Sequence, residues 1–168
     1  MRRTETTRRG ALAATGAAAV ALLTAGCTED SAPRGTEGSA AGAAAARAEA
    51  RLRKRSAGVR RTLLAHYDAV IAAHPSTAGR LAPLREAVAR QADVLRGGGP
   101  AGRAAAPPAV AAEPEDALKE LAAEERRGAD AHTAALLDAP AELARLLASV
   151  AAAGAAHVYL LTTEGSDG

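Results

Sequence analysis

The 168-residue chain has no Trp, no Phe, two Tyr, one Met and a single Cys. Without Trp or Phe it has no aromatic platform on which to stack sugars, bases or quaternary amines. One cysteine cannot close an internal disulfide or build a zinc-type Cys/His cluster. No Gly-x-Ser-x-Gly elbow occurs, and Gly97-Gly98-Gly99 is not followed by the Lys and Ser/Thr of a phosphate-cradling loop. These absences argue against an enzyme and imply no cofactor. What is abundant is alanine, 50 of 168 residues, the strongest helix former, and nothing reads as a strand.

The lone cysteine stands at a seam. Arg2, Arg3, Arg8 and Arg9 form a positive head, Ala11 to Ala25 an apolar run, and Cys27 follows at once. A helix of about 15 residues is roughly 22 Å long, too short for the ~30 Å hydrocarbon core that about 20 residues span. The run therefore reads as an export signal and not as a spanning anchor. Leu23-Thr24-Ala25-Gly26-Cys27 resembles the lipobox of bacterial lipoproteins, with Thr24 where that box usually has Leu. The resemblance implies cleavage between Gly26 and Cys27 and an acyl anchor of palmitate type on Cys27. Thr7-Arg8-Arg9-Gly10-Ala11-Leu12 is similar to the twin-arginine export motif, with Ala11 where an aromatic is usual. Both the twin-arginine and the general secretion route lead to the extracytoplasmic face of the cell membrane.

Charge agrees with that division. Residues 1–26 carry four Arg against one Glu, a net +3, so the +2 of the whole chain leaves −1 from Cys27 onward. The sequence pI near 9.1 thus belongs mostly to the signal and gives no reason to expect nucleic acid as a partner.

Four regions follow: a signal over 1–26, a lipidated cysteine and flexible Gly/Ser/Ala/Thr tether over 27–46, a helical domain over 47–162, and a disordered tail over 163–168. Within the domain, Leu52, Val59, Leu63, Val70 and Ile71 recur at helical spacing from about Ala46 to His74, where Pro75 stops the helix and Ser76 can cap the next. Leu81, Leu84, Val88 and Leu95 mark a second helix to Arg96, whose regular part is expected from Pro83. A third starts near Pro114, with Glu115 and Asp116 favoured at the positive end of its dipole and Leu118, Leu121, Leu136 and Leu137 on or beside its buried stripe. Asp138 can cap a fourth, opened by Pro140 and lined by Leu143, Leu146, Leu147, Val150, Val158 and Leu161.

Two helical hairpins with tight turns are therefore joined by a low-complexity segment over 97–113. A structureless loop of that length needs a reason. Seventeen extended residues reach about 50 Å, enough to run the length of a bundle as the one crossover of the ferritin-like arrangement does. The expected fold is thus an all-α four-helix bundle of two hairpins joined by a long crossover. The blocks Leu63-Leu64-Ala65-His66-Tyr67-Asp68-Ala69-Val70 and Leu143-Ala144-Arg145-Leu146-Leu147-Ala148-Ser149-Val150, with Ala151 to His157 behind the second, resemble actinobacterial lipoproteins related to a ferritin-like domain family of unknown function. That resemblance implies the bundle and carries no activity with it.

Two sets of side chains are candidates for function. His66, His132 and His157 fall on or near inward stripes, and Glu125 lies on the stripe of the third helix. Di-iron bundles use Glu-x-x-His pairs, because residues three apart share a face. Here no His has a carboxylate or another His three or four places away, and Glu125 and His132 are about 10 Å apart along a helix axis. No metal ligands are therefore assigned, and these groups are expected at the stripe edge, reaching solvent or a hydrogen-bond partner. His74, before Pro75, reads as a helix-end residue. The second set is Arg47, Arg51, Arg53, Lys54, Arg55, Arg60 and Arg61, crowded just after the tether. Arg51, Arg53, Lys54 and Arg55 are placed to touch anionic lipid or wall polymer, since one acyl chain plus a basic patch makes a stable two-part anchor. Alternatively, the block pairs with Glu113, Glu115, Asp116, Glu120, Glu124 and Glu125, or is a solvated face. The reading is a non-catalytic binding or structural module on a surface lipoprotein, its protein partner unknown; the alternative is a divergent ferritin-like metal or small-ligand binder.

Overall fold

The computed structural model describes residues 35–103 and 106–163. The signal expected over 1–26 with Arg8 and Arg9, the lipid site expected at Cys27, and the tail beyond Thr163 lie outside the described residues. Among the described residues all regular structure is helical: α1 (Gly35–Ala73), α2 (Ala78–Arg96), α3 (Pro114–Ala135) and α4 (Ala141–Thr163), with short 3-10 turns at Pro75–Thr77 and Leu136–Asp138.

Helix α1 starts at Gly35, so residues 35–46 extend the helix into the stretch expected to be tether. Ala40, Ala41 and Ala43 to Ala46 supply the propensity, and residues 39–48 are all exposed. At 39 residues α1 is about 58 Å long, roughly twice α2. Its packed portion begins near Leu52.

Pro75 ends α1 as expected, but Ser76 does not cap α2. Thr77 occupies that position and turns its hydroxyl back to donate to the His74 carbonyl at 2.8 Å. Helix α2 also begins before Pro83 and runs through it. The proline removes one N–H near the start of the helix, and the Gly79 carbonyl it leaves without that donor lies at an exposed residue. The helix ends at Gly97, whose φ of 59° is the left-handed conformation that a glycine cap adopts without a Cβ penalty.

Helix α3 starts at Pro114, with Glu115 and Asp116 in its first turn. At its far end the 3-10 turn changes the angular step per residue. Leu136 therefore packs inward, while Leu137, expected near the stripe, is 92% exposed. The carbonyls of Leu160 and Leu161 near the end of α4 both accept from Arg80 on α2, at 2.7 and 3.0 Å. By length and apolarity α4 meets the criterion for a membrane-crossing helix, yet its Leu143, Leu147, Val150, Val158 and Leu161 are buried against the other helices.

The helices pair as α1 with α2 and α3 with α4. One apolar cluster gathers Leu63, Tyr67, Val70, Leu81, Leu84, Val88, Leu121 and Leu161. A second gathers Leu52, Ala57, Leu95, Leu143, Leu147 and Val150. On every helix a stretch of chain separates the residues of the two clusters. It holds Arg60 on α1, Ala92 on α2, Glu125 to His132 on α3, and Gly154 with His157 on α4. On α1, α3 and α4 that stretch carries buried polar side chains.

Candidate functional site

Arg60 and Tyr67 are seven residues apart on α1 and share its inward face. Both are fully buried. Side chains on a helix lean toward its N-terminus, which brings the Tyr67 phenol down toward the level of Arg60. From α3, Glu125 projects between them, also with no exposed surface. One carboxylate oxygen, Oε1, accepts from the Tyr67 hydroxyl at 2.8 Å and pairs with His157 Nδ1 of α4 at 2.7 Å. The other, Oε2, accepts from Arg60 Nη1 at 2.8 Å. Arg60 Nη2 donates onward to the Val150 carbonyl of α4 at 2.9 Å. One carboxylate thus ties three helices together.

Gly154 makes room for this. A Cβ there would lie 2.9 Å from Arg60 Nη2 and 3.2 Å from the Ala129 Cβ. Any side chain at 154 would contest the space of a guanidinium already fixed by two hydrogen bonds.

The electrostatics follow from burial and pairing. Desolvation pushes the Glu125 carboxyl upward, but the His157 hydrogen bond, the Arg60 charge and the Tyr67 hydroxyl together outweigh it and hold the group below the usual carboxylate range. Burial, reinforced by the neighbouring carboxylate, pushes the Tyr67 phenol far up, so it remains a neutral donor. Two further histidines are buried in the bundle. His132, two turns along α3 from Glu125 and 1% exposed, is lowered to about 4, first by desolvation and then by the Arg60 charge. His66 is buried on α1, next in sequence to Tyr67. Nε2 of His66, Nε2 of His132 and Nε of Arg60 have no hydrogen-bond partner among the described residues.

These groups do not sit at the stripe edge as expected. Glu125, His132 and His157 are inside the bundle, and the partners of Glu125 are protein groups. Sequence position groups Arg60 with the surface cations, and the structure separates it from them. Of the alternatives open for that block, pairing with the third helix holds for Arg60 through Glu125. The sequence does carry a signal: Arg60 falls at helical spacing between Leu52 and Ser56 before it and Leu63 and Tyr67 after it, on the buried stripe. His74 does more than end a helix, since its Nε2 meets the Ala111 carbonyl at 2.9 Å.

The other cations are placed differently. Arg51, Lys54 and Arg55 are exposed. Arg53 is half-buried and donates to Glu49 one turn back at 2.9 Å. Asp68 and Glu86, off the stripes, form surface ion pairs with Arg85 and Arg90.

A metal does not fit the buried layer. Three donors already engage Glu125, a guanidinium cation sits against it, and no cluster of three or more His, Cys, Asp or Glu groups arranged to hold an ion occurs among the described residues. What the arrangement can do chemically is orient and lock: a buried charge pair with satisfied carboxylate oxygens specifies which helix faces meet. Compared with protein-family models, curated proteins and solved structures, the chain finds no match.

Proposed function

We propose that this chain is a lipoprotein held on the outer face of the cell membrane through Cys27, presenting its helical domain as a non-catalytic binding or structural module. The observation that carries the non-catalytic reading is the Glu125 carboxylate: both oxygens are engaged by Arg60, Tyr67 and His157. Three of its roughly four acceptor positions are taken by these groups, and it is fully buried beside a guanidinium, which disfavours taking a proton from a substrate or ligating an ion. Support for a ferritin-like connection of the two hairpins comes from the ends of the 97–113 segment. Gly97 lies against Arg53 near the start of the packed part of α1, and Ala111 meets His74 at the other end of that helix. The anchor rests on Leu23 to Cys27 and on the signal-like residues before them.

Labelling with a fatty-acid analogue in the native host tests the anchor. The wild-type chain is expected to take the label and Cys27→Ala to lose it; label retained by Cys27→Ala would defeat the lipoprotein reading. Replacing Arg8 and Arg9 by Lys stops export if the twin-arginine route is used, and normal export of that variant assigns the general route.

The second reading, a divergent ferritin-like metal or small-ligand binder, draws on His132 and His66, whose Nε2 atoms are buried without a protein partner among the described residues. It requires Arg60 to give up Glu125. Incubation with ferrous iron and oxygen is expected to leave no stoichiometric iron; two irons per chain, lost in Glu125→Ala or His132→Ala, would establish this reading instead.

A further inference from the structure

A second cluster of cations lies away from the buried layer. Between α1 and the first residues of the 97–113 segment runs a cavity of about 570 Å³, lined by Arg53, Lys54 and Arg61 of α1 and by Arg96 at the end of α2. Ala50, Ala57, Pro100 and Ala101 supply its apolar wall. That size lies within the roughly 300–1,000 Å³ of small-molecule sites, and no carboxylate lines it.

The four cations are not equivalent. Arg53 is paired with Glu49 and Arg96 with Asp93, each at 2.9 Å. Lys54 and Arg61 have neither an ion pair nor a side-chain hydrogen bond among the described residues. They are seven apart on α1, so they face the same groove, and Gly102 approaches the Arg61 guanidinium so closely that a Cβ there would lie 2.4 Å from Nη2. The carbonyls at the end of α2, which would repel an anion, are partly occupied: Val94 accepts from Gly97 and Arg96 accepts from Gly99. Two like charges held in a partly enclosed, acid-free groove call for a counter-charge of about −2, which is what a phosphate monoester carries near neutral pH. A guanidinium fork beside an ammonium suits its oxygens.

We propose that the groove formed by Arg53, Lys54, Arg61 and Arg96 under the Gly97–Gly102 strap binds a phosphate monoester, with the apolar remainder of the ligand against Ala50, Ala57, Pro100 and Ala101. The site stands whether or not Cys27 carries a lipid. The ester can be a soluble metabolite or the headgroup of a lipid, and the test separates the two.

The full chain carrying Cys27→Ala, so that no acyl anchor contributes, is titrated with glycerol 3-phosphate by calorimetry. It is also assayed for binding to phosphatidylcholine vesicles doped with phosphatidic acid or with phosphatidylserine. Saturable binding to glycerol 3-phosphate or to phosphatidic acid vesicles is expected, stronger than to phosphatidylserine. Adding Lys54→Gln with Arg61→Gln should weaken it at least about tenfold, as loss of charge-assisted hydrogen bonds implies. Adding Arg126→Gln with Arg145→Gln, exposed cations of α3 and α4 outside the groove, should change it less than about twofold. Binding to the soluble ester assigns a metabolite, and binding to vesicles alone assigns a headgroup. Both variants melt at the parent temperature, since neither pair of side chains holds the fold. Absence of binding to either probe, equal binding to phosphatidylserine, or equal loss in the two variants would overturn the site.

Discussion

Gly154 and His132 are where single atoms decide the most. Gly154→Ala should destabilise the domain by about 1–3 kcal/mol, because the new methyl meets Arg60 and Ala129, even though alanine favours a helix by about 1 kcal/mol. Gly79→Ala is the control: it lies in α2, where an added methyl meets nothing within 4 Å, so urea unfolding should show it neutral or stabilised by up to about 1 kcal/mol. For His132 the folded group titrates near 4 against an ordinary 6.5. The unfolded chain therefore takes up a proton that the folded one refuses, and stability is full above about 6.5 and falls as pH drops toward 4. At about 1.4 kcal/mol per unit this amounts to about 3–4 kcal/mol. Glu125, depressed below its ordinary range, is lost in the same direction at still lower pH. Unfolding curves between about pH 7 and pH 4 should show this slope, and His132→Gln should flatten it.

At the scale of elements, the helices are legible in the sequence and the polar layer only half so. Pro75, Gly97 and Pro114 mark helix ends by backbone chemistry that no tertiary contact overrides, so those boundaries read directly. The apolar stripes of α2 and α4 read equally well, because Leu and Val at helical spacing have one good destination. Arg60 is hard to read because its neighbours in sequence, Arg55 and Arg61, are not buried with it; its own burial depends on Glu125, 65 residues away, and local pattern carries no trace of that partner. Residues 35–46 mislead because Gly and Ser suggest a tether, while the alanines between them are enough for helix. Stripe depth is testable at Leu147, which is fully buried, unlike half-buried Leu146. Leu147→Asp should abolish the cooperative melt, since an unpaired buried carboxylate costs several kcal/mol against a total of roughly 5–15 kcal/mol. Limited trypsin digestion should cut first after exposed Arg103, and the two hairpins should elute together in native buffer. Separate elution would mean that the apolar clusters do not bridge them.

At the largest scale described, the helical domain is two apolar clusters divided by one polar storey. Each cluster draws on several helices, so the storey between them fixes rotation and height for α1, α3 and α4 together. Apolar residues alone would let Ala-rich helices slide or rotate with little penalty. A buried pair that must be matched discourages those alternatives. Arg60 and Glu125 thus act as one structural unit. A double-mutant cycle by urea unfolding tests this, using Arg60→Met, Glu125→Leu and their combination, with sucrose in all samples to keep weakened variants folded. Each single change is expected to cost about 3–5 kcal/mol by leaving a buried charge unmatched, and the double variant to be no less stable than either single one. Single losses under about 0.5 kcal/mol, or losses that simply add in the double variant, would contradict it.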